Sequence, residues 1–87
     1  MYKITLFGKL KDLKHQDNFY VETHKELTVK KLKNLICVYL RDQNPNNNEE
    51  VGPIIKVSAL SDNERILTED EIVNPGNISL LPPVSGG

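Results

Sequence analysis

The chain has 87 residues, of which 38% are hydrophobic, and its eleven Lys and Arg against twelve Asp and Glu leave a formal net charge of −1. That length suits one small domain with a single core, and the balanced charge removes any electrostatic case for nucleic acid or an anionic membrane surface. One cysteine cannot close an intrachain disulfide, Lys3, Lys9, Lys11 and Asp12 interrupt any secretory apolar stretch, and the run Leu35 to Leu40 is far too short for a bilayer, so the expectation is a soluble cytoplasmic domain.

Tyr2-Lys3-Ile4-Thr5-Leu6-Phe7 alternates at period two and reads as an opening strand that Gly8 ends. Leu10 and Leu13 stand three apart within a charged stretch, which predicts one short helical turn between Lys9 and Asn18. Phe19 to Glu22 reads as a second strand, antiparallel to the first. Thr28 is a helix N-cap candidate for a helix running from Val29 to about Arg41. At about 100° per residue, Val29, Leu32, Leu35, Ile36, Tyr39 and Leu40 share its apolar face. Asp42 to Glu50, rich in Asn with one Pro, reads as a loop. Ile54 to Leu60 follows as a strand, Asp62-Asn63-Glu64 as a turn, and Arg65 to Leu67 as a short strand. Thr68 and Glu71 have the spacing of a capping box that starts a single helical turn. Asn74 to Asn77 turns the chain into a last strand, Ile78 to Leu81. Strand, strand, helix and then further strands is the element order of the β-grasp, an α+β fold with one main helix on a mixed sheet of four or five strands; element order alone also permits other α+β arrangements.

Internal chemistry is sparse. Cys37 lies about 140° round the helix from Leu32, beside Lys30 and Lys33, and reads as a small residue on a half-exposed flank without a role. His15 and His24 have no partner at metal-ligand spacing, so no metal site is expected. Lys30, Lys31 and Lys33 read as a solvated face, with docking of an acidic partner surface as the alternative. The carboxylates of Glu69, Asp70 and Glu71 suit a helix start rather than a catalytic dyad. No P-loop, glycine-rich nucleotide motif or Ser-His-Asp set is present.

The last eight residues, Leu80-Leu81-Pro82-Pro83-Val84-Ser85-Gly86-Gly87, carry the clearest signal. The prolines cannot continue a ladder and hold the backbone extended, and the glycines lack a Cβ, so the final backbone atoms can pass through a narrow channel. The expected organisation is a domain over 1–81 and a flexible tail over 82–87. A tail of this length spans roughly 20 Å extended.

This ending is similar to that of the ubiquitin-like sulfur carriers, specifically the small subunits of molybdopterin synthase, which end in an apolar pair followed by Pro-Pro-Val-small-Gly-Gly. Phe7-Gly8, the Thr28-Val29 helix entry and the Asn74-Pro75-Gly76-Asn77 turn extend the resemblance along the chain. Asn77 stands where an acidic residue is common, and the Asn-rich loop is unusually polar, but neither touches the tail. The resemblance implies that the first and last strands lie parallel at the sheet's centre. It further implies that the Gly87 carboxylate is the reactive group, adenylated with ATP by a ubiquitin-activating-type enzyme and converted to a thiocarboxylate with sulfur from a donor protein. Pro82, Pro83, Val84, Ser85 and Gly86 would then insert into the large synthase subunit, in a heterotetramer of two small and two large subunits, and sulfur would pass to cyclic pyranopterin monophosphate. The large subunit would hold the catalytic acids and bases, so the chain would be a carrier with no bound cofactor rather than an enzyme. Strand alternation places Phe7 and Leu81 on the face away from the helix, beside the tail, as docking residues. A protein modifier that joins Gly87 to lysines, or a carrier for thiamin or tRNA thiolation, shares the adenylation step and remains open.

Overall fold

In the computed structural model, which describes residues 1–13, 17–23, 25–46 and 48–83, the period-two alternation at the N-terminus becomes strand β1 (Tyr2–Leu6), with Tyr2, Ile4 and Leu6 buried and Lys3 and Thr5 half-buried. A 3₁₀ segment (Gly8–Leu13) follows and buries Leu10. Then come β2 (Asn18–Val21), β3 (Leu27–Thr28), α1 (Val29–Gln43), α2 (Asn48–Val57), β4 (Ala59–Ser61), β5 (Ile72–Val73) and β6 (Gly76–Leu81). Among the described residues the main sheet has four strands in the order β2-β1-β6-β4, and β3 with β5 forms a separate two-stranded ribbon. β1 runs parallel to β6 in the centre, while β2 and β4 pair antiparallel to them at the edges. With α1 packed on one face, this is the β-grasp arrangement.

The core lies between sheet and helices. Ile4, Leu6, Ile78 and Leu80 face Leu32, Ile36 and Leu40 in one continuous apolar cluster. Phe19 and Tyr39 stack with ring centroids 4.3 Å apart, fastening β2 to α1. Tyr2 ties the main sheet to the ribbon. Its buried hydroxyl donates to the Val73 carbonyl at 2.5 Å and accepts from the Leu27 N–H at 3.2 Å. A buried polar atom without such partners would be costly.

Thr28 caps α1 as its spacing predicts, its Oγ1 accepting from the Lys31 N–H at 3.2 Å. The Glu71 and Glu69 carbonyls accept from the Val29 and Lys30 N–H groups, so two more of the helix's orphan donors are satisfied. The Thr68–Glu71 segment makes the capping-box bond, with the Thr68 N–H donating to Glu71 Oε1 at 3.0 Å. It is nevertheless a tight turn rather than a helical one, because Ile72 and Val73 are drawn into pairing with β3. Arg65 to Leu67 contributes a single antiparallel bridge, Ile66 opposite Ser61.

Further expectations are corrected. Ile54 to Leu60 is not a strand: Ile54–Val57 closes α2, and only Ala59–Ser61 is extended. Val51 and Ile55, one helical turn apart, are both buried while Val57 is exposed, which is the burial period of a helix. Glu49 and Glu50 in its first turn and Lys56 in its last suit the dipole, and the Ser58 Oγ donates to the Ile54 carbonyl at 2.6 Å at its end. The loop expected over 42–50 is accordingly shorter. α1 runs to Gln43, and Asn44 closes it by donating its side-chain amide to the Leu40 and Leu13 carbonyls at 2.8 and 2.6 Å. Finally, the buried face of α1 contains Lys33 and excludes Leu35, which is 41% exposed. The arrival of α2 turns the covered face roughly 50° towards Lys33 at about 100° per residue.

Candidate functional site at the end of the central strands

β6 leads the chain towards its last residues, and its neighbours define where it goes. The parallel register sets Ile4 opposite Ile78 and Leu6 opposite Leu80. The Phe7 N–H then donates to the Leu80 carbonyl at 3.3 Å, so pairing extends one step past β1. That step brings Phe7 beside Leu81. Burial alternates along both strands: Ile78 and Leu80 point into the core, whereas Phe7 is 40% exposed and Leu81 is half-buried on the opposite face. Ala59 on β4 is the register partner of Leu81, and it too is half-buried. Phe7, Leu81 and Ala59 form an apolar corner, while Thr5, Ser79 and Ser61 make the next row across the same face polar.

Gly8 gives the corner its shape. Its φ is +58°, a left-handed conformation that residues with a Cβ adopt only with strain. A Cβ at this position would also stand 2.9 Å from Cγ of Pro82. Pro82 is half-buried against this glycine, and Pro83 is exposed. The first proline of the tail is thus seated on the turn that ends β1, next to Phe7. Val84, Ser85, Gly86 and Gly87 lie outside the described residues, as do His15 and His24.

The remaining ionic side chains hold turns. The Asp62 carboxylate accepts from the Arg65 and Glu64 N–H groups at 2.9 and 2.8 Å, and these bonds, the one from Arg65 foremost, hold its pKa below the usual range. Arg65 forks onto Glu71, and with the Thr68 N–H it holds the Glu71 carboxyl down at about 2. Both acids are committed to structure. Among the described residues no cluster of three His, Cys, Asp or Glu could hold a metal, and no helix is long and apolar enough to cross a membrane.

Lys33 departs from the solvated face expected of the lysine run. It is buried, and its Nζ donates to Glu69 Oε1 at 2.7 Å and to the Lys56 carbonyl at 3.1 Å. Cys37 is half-buried on the flank of α1, where it lines a cleft against α2. Sequence reasoning missed that cleft because it missed α2; the signal was Val51 and Ile55 at helical spacing behind two glutamates. No protein-family model matches the chain, and no curated protein matches it.

Proposed function

We propose that the chain is a sulfur carrier whose working group is the Gly87 carboxylate, and that it serves as the small subunit of a molybdopterin synthase. The observation that carries this reading is the placement of the Leu80-Leu81-Pro82-Pro83 stretch. It continues a central strand, passes an exposed apolar corner and starts from a proline seated on Gly8. A tail rooted this way can enter a partner's pocket while Phe7 and Leu81 dock against the partner's surface. Ordering the last residues costs about 1–2 kcal/mol each, and docking of the corner offsets that cost.

A carboxylate is a poor electrophile, so it must first be activated. An adenylating partner transfers AMP from ATP to the Gly87 carboxylate and releases pyrophosphate. Sulfide sulfur then displaces AMP to leave a thiocarboxylate; a persulfide donor does so through an acyl disulfide that a second thiol reduces. Inside the large subunit the sulfur attacks a side-chain carbon of cyclic pyranopterin monophosphate, whose carbon–oxygen bond breaks as the carbon–sulfur bond forms, and two such rounds build the dithiolene. Water cleaves the acyl–sulfur bond and restores the Gly87 carboxylate. The acids and bases of that last step belong to the large subunit.

Intact-mass measurement on protein from its native host tests the reading. The expected species ends at Gly87 and carries sulfur in place of one carboxyl oxygen. Deleting Gly87 should abolish pterin sulfuration and leave the melting temperature unchanged. Isopeptide conjugates to lysines with no thiocarboxylate would identify a protein modifier instead, and sulfuration by the deletion variant would refute the mechanism.

A further inference from the structure

The cleft between α1 and α2 has a volume of about 810 Å³ and draws its lining from the two helices and Glu69, with no residue of the main sheet. One wall is a stripe down α1, Lys30, Asn34, Cys37 and Arg41, at the three- and four-residue spacing that puts side chains on one helix face. From Lys30 to Arg41 the stripe spans roughly 16 Å of helix axis at about 1.5 Å per residue. Between its ends the lining includes Cys37, Val38, Pro53 and Ile55, which are apolar.

Cations stand at both ends. Lys56 lies at the Lys30 end, since its carbonyl takes the Lys33 ammonium, while Arg41 rests on Gly52 at the other. Lys33 is consumed by Glu69. Among the described residues Lys30, Arg41 and Lys56 form no ion pair. A chain of net charge −1 therefore concentrates three free cations around one apolar trough.

Gly52 ties Arg41 into this arrangement. A Cβ there would stand 2.6 Å from Nη2 of Arg41, so the guanidinium lies directly over the backbone of α2. Glycine inside a helix is less favourable than alanine would be, and nothing else packs closely on this position. The spacing of the charges also discriminates between ligands. Three cations converging on one point would suit a single phosphate or carboxylate; cations split between the ends of an apolar trough suit an elongated ligand with separated negative charges.

We propose that the α1–α2 cleft docks a peptide segment of a partner protein that bears acidic residues on either side of an apolar stretch. Apolar contact supplies the affinity, and the separated cations set the register. The cleft shares no lining residue with the Phe7–Leu81 corner, and the inference stands whether or not the sulfur-carrier reading does.

Selection of random displayed dodecapeptides on the full chain, with counter-selection on the Lys30→Glu/Lys56→Glu double variant, tests the proposal. The expected winners carry acidic residues flanking an apolar centre. Synthetic copies should bind the double variant at least tenfold more weakly and should slow alkylation of Cys37. Gly52→Ala should weaken the same peptides several-fold while keeping or raising the melting temperature, because the displaced group is the far end of a flexible side chain. Melting curves establish that every variant folds. The proposal fails if no peptide is enriched over the counter-selection, or if enriched peptides leave Cys37 alkylation unchanged. It also fails if inorganic phosphate or single-stranded DNA displaces the peptides from the cleft at equal charge concentration, since the site would then recognise anions without regard to their spacing.

Discussion

Gly8 is the position where backbone conformation and the candidate site meet. Its φ of +58° and the 2.9 Å approach of Pro82 to a virtual Cβ are separate penalties for any side chain. Gly8→Ala should lose about 1–2 kcal/mol from the left-handed backbone alone, with a further loss from displacing Pro82. The second part is separable. In a Pro82→Gly background the proline ring is gone, so the alanine should cost less there by at least about 0.5 kcal/mol, the usual size of coupling between contacting residues. Urea unfolding of the wild type, both single variants and the double variant measures it. Strict additivity would mean that Pro82 does not sit on Gly8. The glycine itself was legible in the sequence as the end of a strand; its partner was not, because the two are 74 positions apart in chain order and nothing local to either announces the contact.

At the scale of elements, the strongly periodic segments were readable and the short apolar run was not. β1, α1 and β6 follow from alternation or from helical spacing, the four-residue β2 from its run of Phe19 to Val21, and the strand pairing agrees with the β-grasp expectation. The tight ribbon of Leu27–Thr28 with Ile72–Val73 has two residues a side, too few to show a period. α2 failed for another reason. Gly52 and Pro53 weaken a helix by propensity, and Ile54-Ile55 with Val57 reads equally as a strand until burial arbitrates. Tertiary packing decides in favour of the helix, since Val51 and Ile55 reach the core and Val57 does not. This assigns different costs to neighbouring apolar side chains. Ile55→Ala should destabilise by about 2–5 kcal/mol, the range for truncating a buried aliphatic, whereas Val57→Ala should fall within about 0.5 kcal/mol of wild type, as exposed substitutions do. A strand over Ile54 to Leu60 would alternate instead and bury Val57 on the face opposite Ile54, so comparable losses at Ile55 and Val57 in denaturant titrations would contradict the helix.

For the whole molecule, the parallel central pair gives the two faces of the sheet different tasks. One face is closed by α1 and α2 and holds the fold together; the other carries a polar row and one apolar corner at the end where the tail begins. The proposed docking can therefore be separated from stability by choosing residues one step apart on the same strands. Ile4→Ala and Leu6→Ala remove fully buried side chains and should cost about 2–5 kcal/mol each, a large part of the 5–15 kcal/mol that holds a typical domain folded. Ile4→Val, at about 0.5–1.5 kcal/mol, keeps the comparison measurable if the alanine variants unfold. Phe7→Ala and Leu81→Ala remove side chains that are partly exposed in the free chain, so their melting temperatures should fall less than that of Ile4→Ala. Their effect on partner affinity should run the other way, with losses of about 2 kcal/mol or more where a corner anchor becomes buried in the interface, while Ile4→Val binds as wild type does. Melting curves together with titration against a molybdopterin synthase large subunit, the proposed partner, read both quantities for all five variants. If Phe7→Ala melts as low as Ile4→Ala and binds unchanged per folded molecule, the corner belongs to the core and the tail must be delivered by another surface.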